Sequence, residues 1–151
     1  MALRSFLALT AAVGMVVGVI LTWPLALHLR THILDDGTLD GYQFAWNLWW
    51  VRESVFGLHD HPFRTHHLFY PEGAPLLFHT GSFSLGFASV PLQWLFGLVP
   101  AANLIVITAP ALTLMAMALL AREATGDPWA ALVAGLVGTI TPLTMWVLPV
   151  I

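Results

Sequence analysis

Three carboxylates, Asp35, Asp36 and Asp40, fall together in the stretch DDGTLDGYQFAWNLWW, directly before a run of aromatic residues. A carboxylate acts as a general base when it can reach the proton it must take. One held partly out of water is the stronger base. The same three residues would equally make an ordinary solvated acidic turn. A second group is His59-Asp60-His61 followed by His66-His67. Imidazole and carboxylate ligands suit Zn²⁺ or another divalent ion, so His59, His61, His66 and His67 form a candidate metal set. Their spacing matches no standard zinc signature, and loop histidines also serve as plain hydrogen-bonding groups. Arg52 and Arg64 each offer the paired donors that clamp a phosphate. Reaching toward lipid headgroups would use the same chemistry.

The frame around these residues is apolar. Of 151 residues, 58% are hydrophobic and 9% charged, against about 25% charged in a typical soluble domain. Mean hydropathy is +0.82. Such a composition belongs to a membrane protein, with the lipid bilayer as its first partner. The net charge of −3 speaks against nucleic acid, which selects basic patches. Cysteine is absent, which removes disulfides and thiolate ligands from consideration. Polar chemistry is confined to the middle: all 7 histidines lie between His28 and His79.

Residues 5–27 carry no charge and are long enough to cross a hydrocarbon core of about 30 Å as a helix. A cleaved signal peptide would have a shorter apolar core and small residues at its end, so a retained anchor is expected. Residues 28–82 form a polar loop. Within it, 42–56 read as a helix resting in the membrane interface. Asp40, Gln43, Asn47 and Ser54 fall on one stripe, and Trp46 and Trp49 sit beside it at headgroup level. Residues 59–75 read as a turn-rich loop. Residues 83–99 are either a short span or a second interfacial helix. Residues 101–121 are a clear span despite Pro110, which membrane helices tolerate. A polar turn, 122–128, leads to a third apolar segment, 129–150. The ending at Val150-Ile151 has the look of a truncated chain.

The expected fold class is therefore an all-α integral membrane protein. It has about three transmembrane helices and interfacial helices in a large first extracytoplasmic loop. Three regions follow: an anchor over 1–27, the loop over 28–99, and two spans over 100–151. Arg4 and Arg122 flank the first two clear spans, and the positive-inside rule puts both in the cytoplasm. That requires an even number of crossings between them, so 83–99 should lie in the interface. No ionisable residue lies within the spans, which counts against a proton-coupled transporter.

The order of parts resembles the N-terminal portion of the GT-C superfamily of membrane glycosyltransferases, in particular the bacterial dolichyl-phosphate-mannose-transferase-like proteins. The resembling pieces are a first span, the acid cluster DDGTLDG, the aromatic helix FAWNLWW, the phrase LFYPEGAPLLFHTGS and a span ending LLAREATGDPWAALVAGL. The resemblance covers nearly the whole chain but only the first part of such an enzyme. It implies transfer of a sugar from a polyprenyl-phosphate-linked donor to an extracytoplasmic acceptor, at a bacterial plasma membrane. It also implies that an Asp soon after the first span is the catalytic base. The matching position is Asp40, six residues before Trp46, with Asp36 and Asp35 as rivals. The cofactor that the histidine set would take is a divalent metal ion. The family's second acid and carboxy-terminal domain lie beyond this chain. The competing class is a non-enzymatic multi-span protein, either an assembly subunit or part of a transporter.

Overall fold

The computed structural model describes residues 1–35, 40–79 and 81–141. The described residues are mostly helical, and the chain divides into two compact units, one of Met1–Asp36 with Asn103–Ile151 and one of Gly37–Ala102.

In the first unit, α1 (Leu3–Leu21) and α4 (Leu98–Thr125) are both long and apolar enough to cross a membrane. At 1.5 Å per residue they measure about 28 and 42 Å. The expected first span ran to residue 27, but the helix stops earlier. The Thr22 N–H and hydroxyl both bond back to the Gly18 carbonyl. Pro24, next but one along the chain, lacks the N–H that would continue the ladder. A short 3₁₀ turn follows at Leu25–Leu27. At the other end α4 runs past the expected boundary to Thr125, so the polar turn shrinks to the Gly126-Asp127 junction. There Asp127 caps α5 (Pro128–Thr139) by accepting the Trp129 N–H at 2.8 Å. The remainder of the expected third span, from residue 142 on, lies outside the described residues.

Around a buried cluster of Phe6, Leu114, Ala118 and Ala131, the helices of this unit meet through small residues. The buried face of α1 is Phe6, Thr10, Gly14 and Gly18, a strict four-residue repeat. That of α5 is Ala131, Gly135 and Thr139. Val16, Ile20, Leu112, Leu120, Val133 and Val137 point outward. Small residues inside and large apolar ones outside suit a lipid surround, where close backbone approach replaces hydrophobic collapse. A Cβ on Gly14 would stand 2.5 Å from the Ala111 Cα, and one on Gly18 would collide with the Ile107 carbonyl. Each buried hydroxyl is satisfied within its own helix, as with Thr10 to the Phe6 carbonyl and Thr139 to the Gly135 carbonyl. At the helix ends, Arg122 donates to the Met1 carbonyl at 3.0 Å and stacks 4.8 Å over the Phe6 ring.

The second unit holds α2 (Asp40–Arg52), a π-helical turn (Glu53–Gly57), a two-residue antiparallel pairing of β1 (Arg64–Thr65) with β2 (Ala74–Pro75), and α3 (Phe83–Phe96). The small pairing departs from the all-α expectation. It closes a turn in which Gly73 adopts φ +73° and donates to the Phe69 carbonyl. α3 packs on α2 through Gly86, Ser89, Val90 and Gln93. Gly86 allows the contact, since a Cβ there would meet Val51 Cγ2 at 2.5 Å. Gln93 donates to the Leu48 carbonyl at 2.9 Å and to the Ser89 hydroxyl at 2.7 Å.

Candidate functional site

Helix α2 organises the polar chemistry of the second unit. Asp40 opens it and Arg52 lies in its last turn, each at the end whose backbone partial charge favours it. Asp40 is exposed. One turn on stands Gln43 and one further turn on stands Asn47, on the same side of the helix. Both meet His79: its Nε2 lies 3.1 Å from Asn47 Oδ1 and 3.2 Å from Gln43 Nε2. That nitrogen donates to Asn47 when it carries the proton and accepts from Gln43 when it does not. The two amides therefore hold the ring in either tautomer. Trp46 adds an edge-on contact, its ring centroid 6.2 Å from that of His79. The stripe thus leads from an exposed carboxylate to a positioned imidazole.

The aromatic residues of α2 make a set of contacts within their own unit. Trp46 stacks on Trp50 at 5.9 Å with nearly parallel planes. Trp50 is 4% exposed and donates its indole N–H to the Pro62 carbonyl at 2.9 Å. His67 stands edge-on to Trp49 and Trp50 at 5.7 and 5.3 Å. These rings clamp the following loop onto α2. Trp50 thereby satisfies its indole N–H within the protein.

The other candidate residues are dispersed. Asp35 belongs to the first unit. The segment leading to it is tied down by Asn103, which donates to the Leu29 and His32 carbonyls at 2.9 and 2.7 Å, and by Leu34 packing with Leu25 and Ile107. Asp36 lies outside the described residues. Arg64, on β1, gives an N–H to the Glu72 carbonyl at 2.8 Å and so braces its own hairpin.

The four histidines of the metal reading, His59, His61, His66 and His67, are spread along the turn-rich loop. Among the described residues no group of three or more His, Asp or Glu side chains could hold an ion. His61 stacks on Phe63 beside Asp60. His66 approaches the Pro71 carbonyl. His67 turns to the tryptophans, and His59 sits at φ +54° at the foot of the π-helical turn. The rings of His61, His66 and His67 thus make three separate contacts.

His79, the residue that sequence reasoning passed over, is brought to α2 from 32 positions beyond Asn47. The only trace of it in the sequence is the pair Gln43 and Asn47, two amides four residues apart on an otherwise aromatic helix.

The chain matches no protein-family model, and no curated protein or solved structure is significantly similar to it.

Proposed function

We propose that the protein is an integral-membrane glycosyltransferase, or part of one. It transfers a sugar from a polyprenyl-phosphate-linked donor to an acceptor on the extracytoplasmic face of a bacterial plasma membrane. Asp40 is the general base. It takes the proton from the acceptor as the acceptor oxygen attacks the anomeric carbon. The bond from that carbon to the phosphate oxygen breaks, and polyprenyl phosphate leaves with the electron pair. Arg52 and Arg64 are the cations available to the phosphate. In this reading α1, α4 and the segment 129–150 are three spans. Arg4 and Arg122 face the cytoplasm, and the second unit lies outside.

One observation carries the reading. An exposed carboxylate stands at the head of a helix whose polar stripe is ordered by His79 and whose unit is joined directly to a helix able to span a bilayer. A base for a lipid-linked donor has to be accessible and close to the headgroups, and the exposure of Asp40 supports the first condition. The test is transfer from a labelled polyprenyl-phosphate sugar by the protein with Asp40→Asn. Loss of transfer with membrane insertion intact is expected, and retained transfer removes Asp40 from the reaction.

The non-enzymatic reading, an assembly subunit or transporter portion, is favoured by the way Gln43 and Asn47 are already tied to His79, as in a purely architectural cluster. It expects Asp40→Asn to leave the protein's behaviour unchanged.

A further inference from the structure

We infer that His79 is a positioning residue with two settings: the proton on its Nε2 decides whether the Gln43 amide is kept on the imidazole or turned to a substrate hydroxyl beside Asp40. This role belongs to the transfer reaction proposed above and rests on that reading for its ligand, a sugar hydroxyl. All the residues concerned lie within the second unit.

An imidazole nitrogen offers one in-plane position, filled by a proton or by a lone pair. His79 Nε2 faces two partners of opposite kind, the Asn47 Oδ1 acceptor at 3.1 Å and the Gln43 Nε2 donor at 3.2 Å. It serves one at a time. A protonated Nε2 donates to Asn47 and then sets N–H against N–H at Gln43. A bare Nε2 accepts from Gln43. Burial decides which amide gives way. Asn47 is 6% exposed, whereas Gln43 is half-buried and keeps an open side. The ring cannot follow it. The His79 N–H donates to the Leu76 carbonyl at 3.2 Å, and the Gly81 N–H donates to the His79 carbonyl at 2.6 Å. Leu76 is itself buried and donates to the Phe63 carbonyl at 2.8 Å. Trp46 stands edge-on to the imidazole.

Gln43 follows Asp40 by one turn on the same side of α2. Released from His79, its amide offers a donor and an acceptor beside an exposed carboxylate, the pair that a hydroxyl group matches. Such a contact holds the hydroxyl in place for the loss of its proton to Asp40. Acid selects this setting, because imidazolium carries hydrogen on both nitrogens. The neighbouring groups that carry or change charge are Asp40 and Arg52 on α2 and Arg64, His66, His67 and Glu72 on the β1–β2 hairpin, while α3 has none. Among the described residues none of them pairs with His79. Arg64 donates to the Glu72 carbonyl, His66 approaches the Pro71 carbonyl and His67 turns to Trp49 and Trp50. His79 is thus the group whose proton acts on Gln43 directly.

Two arms test this. In the first, the protein is labelled with nitrogen-15 histidine and held in detergent micelles at about pH 9, where an ordinary imidazole is neutral. Nitrogen shifts separate N–H from bare nitrogen, and His79→Gln identifies the signals of His79. The ratio of the Nε2–H form to the Nδ1–H form should rise about fivefold in Gln43→Ala and fall about fivefold in Asn47→Ala, the size of one net hydrogen bond. An unchanged ratio in Gln43→Ala overturns the inference, and so does a fall there, which two acceptors sharing one N–H would give. Should Asn47→Ala fail to fold, Gln43→Glu decides in its place. It sets an acceptor where the donor stands, and the ratio must rise beyond that of Gln43→Ala. In the second arm, transfer from a labelled polyprenyl-phosphate sugar is followed downward from about pH 8 to about pH 5.5, the range in which imidazole ordinarily gains its charge. The rate should rise several-fold in the unaltered protein and stay level in His79→Gln, whose amide does not titrate. A level rate in the unaltered protein, or a rise that survives His79→Gln, contradicts the role. If no protein transfers sugar, the proposed reaction falls, and the tautomer ratios alone decide whether His79 has two settings.

Discussion

Gly86 is where the second unit is most sensitive to a single atom. Alanine there sets its Cβ 2.5 Å from Val51 Cγ2, 0.9 Å inside the 3.4 Å at which ordinary contact begins. Val51 is β-branched and sits within α2, where one side-chain rotamer is strongly preferred, so it cannot swing aside. Either α2 and α3 part or a side chain leaves its well. Overpacking of this kind costs about 1–3 kcal/mol, against which the better helix propensity of alanine returns up to about 1 kcal/mol. The net expectation for Gly86→Ala is a loss on the order of 1 kcal/mol. The Val51 Cβ also stands only 2.8 Å away, so the whole side chain must go to restore the space, and Gly86→Ala and Val51→Gly should be coupled by about 1–2 kcal/mol. Reversible denaturation of the four proteins of the cycle in mixed micelles, followed by tryptophan fluorescence, measures this. Losses that simply add, within about 0.5 kcal/mol, would mean that α2 and α3 do not meet at Gly86 as described.

Two further perturbations address the other contacts. Gly18→Leu should destabilise the first unit by about 1–3 kcal/mol, because the α1 backbone lies directly on the Ile107 carbonyl. Val16→Leu, at a position 59% exposed, should be neutral in the same denaturation. Trp50→Phe removes the donor to the Pro62 carbonyl and should cost about 1–3 kcal/mol. Amide hydrogen exchange across residues 58–67 would accelerate, and unchanged exchange there would deny the indole its role in holding the loop.

The two long helices were readable because twenty or so uncharged residues in succession admit little else. Their ends were less so. α1 stops where Thr22 bonds back to Gly18 and Pro24 follows, a local competition that hydropathy does not register. The stripe of Asp40, Gln43 and Asn47 was legible from helical periodicity, but its partner was not. His79 reaches it through the fold of an intervening hairpin, and nothing near His79 in the chain points to α2. For the tryptophans, composition describes what a side chain prefers and not what it meets within the protein. Here Trp46, Trp49 and Trp50 meet one another, His67, His79 and a backbone carbonyl. The histidines show the same limit: proximity in sequence groups four potential ligands, while His61 meets Phe63, His66 the Pro71 carbonyl and His67 the tryptophans of α2. α3 was left between span and interfacial helix because its hydropathy suits both. Which of its faces is polar became visible only against α2.

The central claim is that the Asp40 helix meets a lipid-linked sugar. Photo-crosslinking with a polyprenyl-phosphate sugar bearing a reactive group beside the phosphate, followed by peptide mapping, tests it at the point of contact. The account predicts adducts within residues 40–52 and 64–79 that an excess of unmodified donor suppresses. Adducts confined to α1 and α4, or adducts that the unmodified donor does not reduce, would contradict it.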